Sequence, residues 1–140
     1  QPGFVSGKLL LNMDSEEDGA FYIGCSGGID TVGKLNLEYS NTPDDYTQFE
    51  LTVTGLKGGH SGLDIIQGRG NAVKILGRCL NKLSDTNPLI NQISGGSLRN
   101  AIPREAEGII SIPSDSVKKA QEIIRRDPST AGTGTEENTG

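Results

Sequence analysis

The sequence predicts an α+β fold, with helices on one face of an antiparallel sheet, and three observations carry that expectation. From Tyr46 onward the apolar pattern reads strand, helix, strand, strand, helix. In TQFELTVTGL (47–56), Phe49, Leu51 and Val53 alternate with Gln48, Glu50, Thr52 and Thr54, the period of a strand with one wet face. In GRGNAVKILGRCLNKL (68–83), Ala72, Leu76, Cys79, Leu80 and Leu83 fall instead on one helical face. Packing such helices on one side of a sheet buries both apolar surfaces at once.

Taken in order, KLLLNM (8–13) is a short apolar run expected as a buried strand, ended by the acidic stretch DSEEDG (14–19). AFYIGC (20–25) reads as a second strand, broken by SGGID (26–30), and LNLEY (35–39) as a third before the turn SNTPDD (40–45). KGGHSG (57–62) is a Gly-rich loop after the alternating strand, and Asn87-Pro88 marks the turn out of the first helix. LINQIS (89–94) and AEGIISIP (106–113) are two further strands joined by the polar loop GGSLRNAIPRE (95–105). Ser114 is expected to cap a helix through SDSVKKAQEIIRR, in which Val117, Ala120 and Ile124 share a face. The stretch DPSTAGTGTEENTG (127–140) has no apolar residue larger than Ala and is expected to be a disordered tail. A split β-α-β-β-α-β unit needs one more strand, so the last strand is expected to be missing and its edge open to pairing with another chain.

At 140 residues the chain has room for one ordinary domain, or one small domain with an appended segment. A net charge of −5 gives no electrostatic reason for a nucleic-acid or anionic-membrane partner. No stretch approaches the ~20 apolar residues of a membrane helix, and QPGFVSGKLL lacks a basic start and an apolar signal core. Cys25 and Cys79 stand in neither a C-x-x-C nor a zinc-finger spacing and read as two free thiols.

Three residues are candidates for chemistry. Asp14 sits where an apolar run ends in NMDSEEDG, and a carboxylate there projects from rigid backbone as metal ligands do. With Glu16, Glu17 and Asp18 it offers hard oxygen ligands, although a solvated acidic turn explains the same composition. His60, the only histidine, is flanked by Gly58, Gly59, Ser61 and Gly62, which leave its imidazole accessible to donate to an oxyanion, move a proton or bind metal. The bland alternative is a loop histidine without a role. Asn100, with Arg99 and Arg104 in LRNAIPRE, suits recognition of a carboxylate or peptide carbonyl, and equally an ordinary hairpin loop shaped by Pro103. The Gly68/Gly70 pair lacks the rest of a phosphate loop, and Ser61 beside His60 lacks an acid partner for a triad.

Together these segments carry a resemblance. LLLNMDSEEDGAFYIGCSGGID, LTVTGLKGGHSGLDI, GRGNAVKILGRCL and ISGGSLRNAIPREAE resemble, in the same order, the aminoacyl-histidine dipeptidases of the dinuclear zinc peptidase superfamily, over about residues 4–125. The resemblance implies an α/β catalytic domain with an inserted lid that is ferredoxin-like and mediates dimerisation in many members. Residues 1–30 then correspond to the end of the first catalytic-domain half, with two of its strands, 31–126 to a partial lid, and 127–140 to the tail. Asp14 matches a zinc-ligating Asp, His60 the lid histidine that reaches the partner subunit's active site and polarises the scissile carbonyl, and Asn100 a lid residue contacting the substrate's carboxylate. The implied cofactor is a pair of zinc ions, the implied partners a dipeptide of Xaa-His type and a second copy of the chain, and the implied location the cytoplasm.

The H-x-D ligand motif, the Glu-Glu pair and the distal histidine of that family do not occur here, and a single histidine cannot complete two zinc sites. The chain is therefore expected to be a piece of a zinc-dependent dipeptidase, inactive by itself and binding no zinc stably. Two other readings compete: a stand-alone dimerisation or peptide-binding module derived from the lid, and a calcium binder using residues 14–18.

Overall fold

The computed structural model describes residues 3, 6–9, 11, 18–24, 27–126 and 133–137. By its internal contacts the chain divides into two units, Gln1–Glu38 and Tyr39–Gly140.

The second unit is built on a four-stranded antiparallel sheet. Strand β1 (Tyr46–Val53) lies between β5 (Ala106–Pro113) and β6 (Thr133–Glu137), and β3 (Leu89–Gly95) forms the other edge beyond β5. A second, two-residue ladder pairs β2 (Gly59–His60) with β4 (Ala101–Ile102). With helices α1 (Ala72–Lys82) and α2 (Val117–Arg126), the main elements run β-α-β-β-α-β in a ferredoxin-like α+β fold.

The alternation read from the sequence sets which face is buried. Phe49, Leu51 and Val53 stand opposite Ile110, Gly108 and Ala106 in register, so both central strands turn the same face inward. Ala72, Leu76, Cys79 and Leu83 of the first helix and Ala120 and Ile124 of the second complete that core. Leu76 packs over Gly108, where an added Cβ would already touch its methyls at 3.5 Å. Thr86 and Ser111 are the buried polar residues among those described; Thr86 Oγ1 donates to the Leu83 carbonyl and Ser111 Oγ to Asn91 Oδ1.

Helix α1 starts where Asn71, in extended conformation, accepts the Lys74 N–H on its side-chain oxygen at 3.1 Å. The Ala72 N–H, which no helical carbonyl could satisfy, donates to the Pro103 carbonyl at 2.8 Å and moors the helix to the loop before β5. The helix ends in a 3-10 turn, Ser84–Thr86, closed by Asn87 in the left-handed region ahead of Pro88. Arg125 and Arg126 fill the last turn of α2, where the helix dipole favours cations.

The fold departs from expectation at three places. The stretch 127–140 was expected to be disordered and to leave the sheet short of its last strand; Thr133–Glu137 instead pairs antiparallel with β1, from Phe49↔Glu137 to Val53↔Thr133. A bare β1 edge offers a row of backbone donors and acceptors, and a ladder needs only backbone partners to satisfy it. Lys8, Leu9 and Leu11, residues 20–24 and residues 35–39 form no strand, for an apolar run becomes a strand only where another strand accepts its hydrogen bonds. The remainder of the 8–13 and 20–25 runs, Cys25 included, lies outside the described residues. Ser114 does not cap α2: its Oγ donates to the Asp45 carbonyl at 2.8 Å, tying the end of β5 to the start of β1, and the helix begins at Val117. Cys79 is a free, buried thiol.

Candidate functional site

Two loops at one end of the sheet carry the site. One follows β1, and the other joins β3 to β5. The β2–β4 ladder zips them together, Gly59 opposite Ile102 and His60 opposite Ala101, and the Ser61 N–H extends it by donating to the Asn100 carbonyl at 2.9 Å. His60 and Asn100, forty residues apart in sequence, are thereby brought together, and both are exposed.

The loop around His60 is closed on itself. The Asp64 N–H donates to the His60 carbonyl at 3.0 Å, and the His60 N–H donates to Asp64 Oδ2 at 2.8 Å. The imidazole folds back so that Nδ1 accepts from the Gly62 and Leu63 N–H groups, at 3.1 and 3.2 Å. A nitrogen that accepts holds no proton, so the neutral ring carries its hydrogen on Nε2. His60 thus presents a donor.

The glycines of K-G-G-H-S-G follow from this packing. Gly59 has φ +143°, and a Cβ there would collide with Arg69 Nη1 and with Asp64 Oδ2 at 2.6 Å. At Gly62 a Cβ would press on the His60 ring, 3.3 Å from both Cε1 and Nδ1.

Three residues that no motif singles out, Asp64, Gln67 and Arg69, hold the loop from beneath. Arg69 pairs with Asp64 at 3.0 Å and donates to the Gly58 carbonyl and to Gln67 Oε1, while Gln67 Nε2 donates back to Asp64 Oδ1 at 2.8 Å. Gly68, in the left-handed region, ends the short 3-10 turn Ile65–Gln67, and Gly70 lies against Leu56, so the G-x-G pair is structural.

Beside this ladder lies a cleft of about 560 Å³, lined in part by Lys57, Ser97, Arg104, Glu105 and Glu107. Neither His60 nor Asn100 lines it. Asp14, with Glu16 and Glu17, falls outside the described residues, and Asp18 is exposed. Among the described residues no three His, Cys, Asp or Glu side chains converge on a point that could hold a metal ion. No helix among them is long and apolar enough to cross a membrane.

The chain is 42% identical over 125 residues to the cytosol non-specific dipeptidase of Escherichia coli (strain K12), a match that covers 89% of this chain and 26% of that protein. The chain thus spans about a quarter of the length of this curated relative. Among solved structures, the aminoacylhistidine dipeptidase of Vibrio alginolyticus superposes with a TM-score of 0.57 at 35% identity, over 70% of this chain and 22% of that one. An amidase of the hydantoinase/carbamoylase family from Burkholderia multivorans shares the fold at 14% identity, with a TM-score of 0.55 over 66% of this chain and 26% of its own. The profile of the peptidase dimerisation domain matches residues 51–128, the stretch that runs from the end of β1 through α2 and holds both loops of the site, and the chain belongs to this M20 family.

Proposed function

We propose that this chain is a segment of a larger, zinc-dependent dipeptidase that cleaves Xaa-His type dipeptides in the cytoplasm, with residues 1–30 ending the first half of its catalytic domain and residues 31–126 forming part of its lid. Within it His60 is the carbonyl-polarising donor. The observation that carries this reading is the fixed ring: with Nδ1 accepting from Gly62 and Leu63, Nε2–H points its one donor away from the loop. A donor set in advance toward a carbonyl oxygen costs no reorganisation as negative charge develops there. Asn100, held beside it by the β2–β4 ladder, suits the substrate's terminal carboxylate, and Lys57 and Arg104 line the neighbouring cleft.

The described residues supply no metal cluster, so the reading routes no step of theirs through zinc. It assigns one zinc ligand, Asp14, to this chain and the rest to the remainder of the enzyme, and the isolated chain is expected to hydrolyse nothing. The lid would pair with a second copy of itself, consistent with the dimerisation-domain profile. Edge strand β3 fits that role: Ile90 and Ile93, opposite Ile110 and Gly108, are 54% and 51% exposed on the helix-bearing face. Ile93→Lys is expected to convert a dimer to monomer in sedimentation, and an unchanged mass would take β3 out of the interface.

The functional test is a graft. The aligned 125 residues of this chain replace the matching segment of the E. coli dipeptidase, and turnover of an Xaa-His dipeptide is measured. His60→Ala in the graft is expected to lower kcat by about 10²–10³-fold with little change in KM, as loss of one oxyanion donor does. Full turnover in that variant would end the assignment of His60.

A further inference from the structure

Beneath the His60 turn lies a cation from nine positions further along the chain. Arg69 is largely buried, its side chain 18% exposed, and its guanidinium reaches both flanks of the His60 turn. Nη1 donates to the Gly58 carbonyl at 2.7 Å, two residues before His60. Nη2 pairs with Asp64 Oδ1 at 3.0 Å, four residues after it, and donates to Gln67 Oε1 at 2.8 Å. The other Asp64 oxygen receives the His60 N–H. One planar cation thus clamps a turn that contains Gly58, Gly59 and Gly62, residues with the widest choice of alternative backbone conformations. In this closed turn the Gly62 and Leu63 N–H groups meet Nδ1.

We propose that Arg69, acting through Asp64, is a positioning residue for His60. It holds the loop in the conformation in which Nδ1 is capped by two backbone N–H groups and the ring proton resides on Nε2. Without the clamp, the turn samples conformations in which Nδ1 loses its donors, and the neutral ring divides between its two tautomers. The importance of the clamp for catalysis rests on the reading of His60 as a donor; the geometry of the clamp does not.

Because His60 is the only histidine, labelling with heavy-nitrogen histidine gives a single imidazole in the nuclear magnetic resonance spectrum of the whole chain. At mildly alkaline pH the unchanged chain is expected to show Nδ1 as an acceptor nitrogen and Nε2 as an N–H nitrogen, widely separated in shift. Arg69→Met keeps most of the aliphatic stem and removes the cation. It is expected to collapse that separation toward the tautomer average while the β1 and β5 amides stay in place. Glu122→Gln, which breaks the exposed pair with Arg126 on α2, is expected to leave the imidazole signals unmoved. A folded R69M chain with the original separation, or an unchanged chain with its proton on Nδ1, overturns the proposal. If R69M does not fold, Asp64→Asn decides by the same spectrum: collapse supports the clamp and retention ends it. A graft in which His60→Ala leaves turnover intact, while the tautomer signature holds, removes the functional reading and leaves the clamp standing.

Discussion

Residues 6–38 and 46–126 are both well supplied with apolar side chains, yet among the described residues only those of the second region build a core. Phe21 and Ile23 are 99% and 104% exposed, and Ile29, Val32 and Leu35 are exposed too. Leu51, Leu76 and Ile110 are sealed. The difference lies in partners, not composition. Strands β1 and β5 have neighbours on both sides to take their hydrogen bonds and helices to cover their apolar face, whereas the described residues of the first region have no strand or helix of their own. So many uncovered large side chains mark a surface that requires another surface. In the proposed enzyme, that surface would come from the remainder of the protein.

Amide exchange gives the sharpest contrast. Amides of β1 and β5 are expected to be protected about a thousandfold or more over the free chain, because they open only with the whole domain. Those of residues 20–24 and 29–38 are expected to exchange nearly as fast as in an unfolded peptide. Comparable protection in both regions would mean that the first has found a cover, and the contrast would fall. A smaller effect separates two leucines. Leu76→Ala, at the centre of the core, is expected to cost about 2–5 kcal/mol in denaturant unfolding. Leu35→Ala, 82% exposed, is expected to stay within about 0.5 kcal/mol. A large loss at Leu35 would show that the apolar surface of the first region is used within this chain.

The same contrast explains what could be read in advance. The alternation of β1, the buried faces of both helices and the strand at 106–113 are periodic, and periodicity survives in sequence because burial imposes it. The glycines of K-G-G-H-S-G pointed to His60 as an accessible side chain, and the amide and guanidinium groups of L-R-N-A-I-P-R-E pointed to Asn100 as a polar recognition group. The clamp beneath them left no period: Asp64, Gln67 and Arg69 meet only because a 3-10 turn brings them round. An Asp four residues after the histidine and an Arg five residues later could have been noticed as a matched pair, although no spacing rule singles them out. Strand β6 was missed because Thr-Gly-Thr-Glu-Glu has no apolar face to announce it. Its pairing answers to the open edge of β1 rather than to its own composition.

The β2–β4 ladder also constrains how this protein can change. Because only two residues on each side pair, the distance along the chain from Gly95 to Ala101 is a measured length rather than slack. Substitutions at the exposed Ser97 and Leu98 between them can be absorbed in solvent. One inserted or deleted residue would slide the ladder by a step, exchange the faces of His60 and Ala101, and carry Asn100 out of reach of Ser61. Among descendants of this sequence, Ser97 and Leu98 should therefore vary freely in letters, while the 96–100 loop should hardly vary in length.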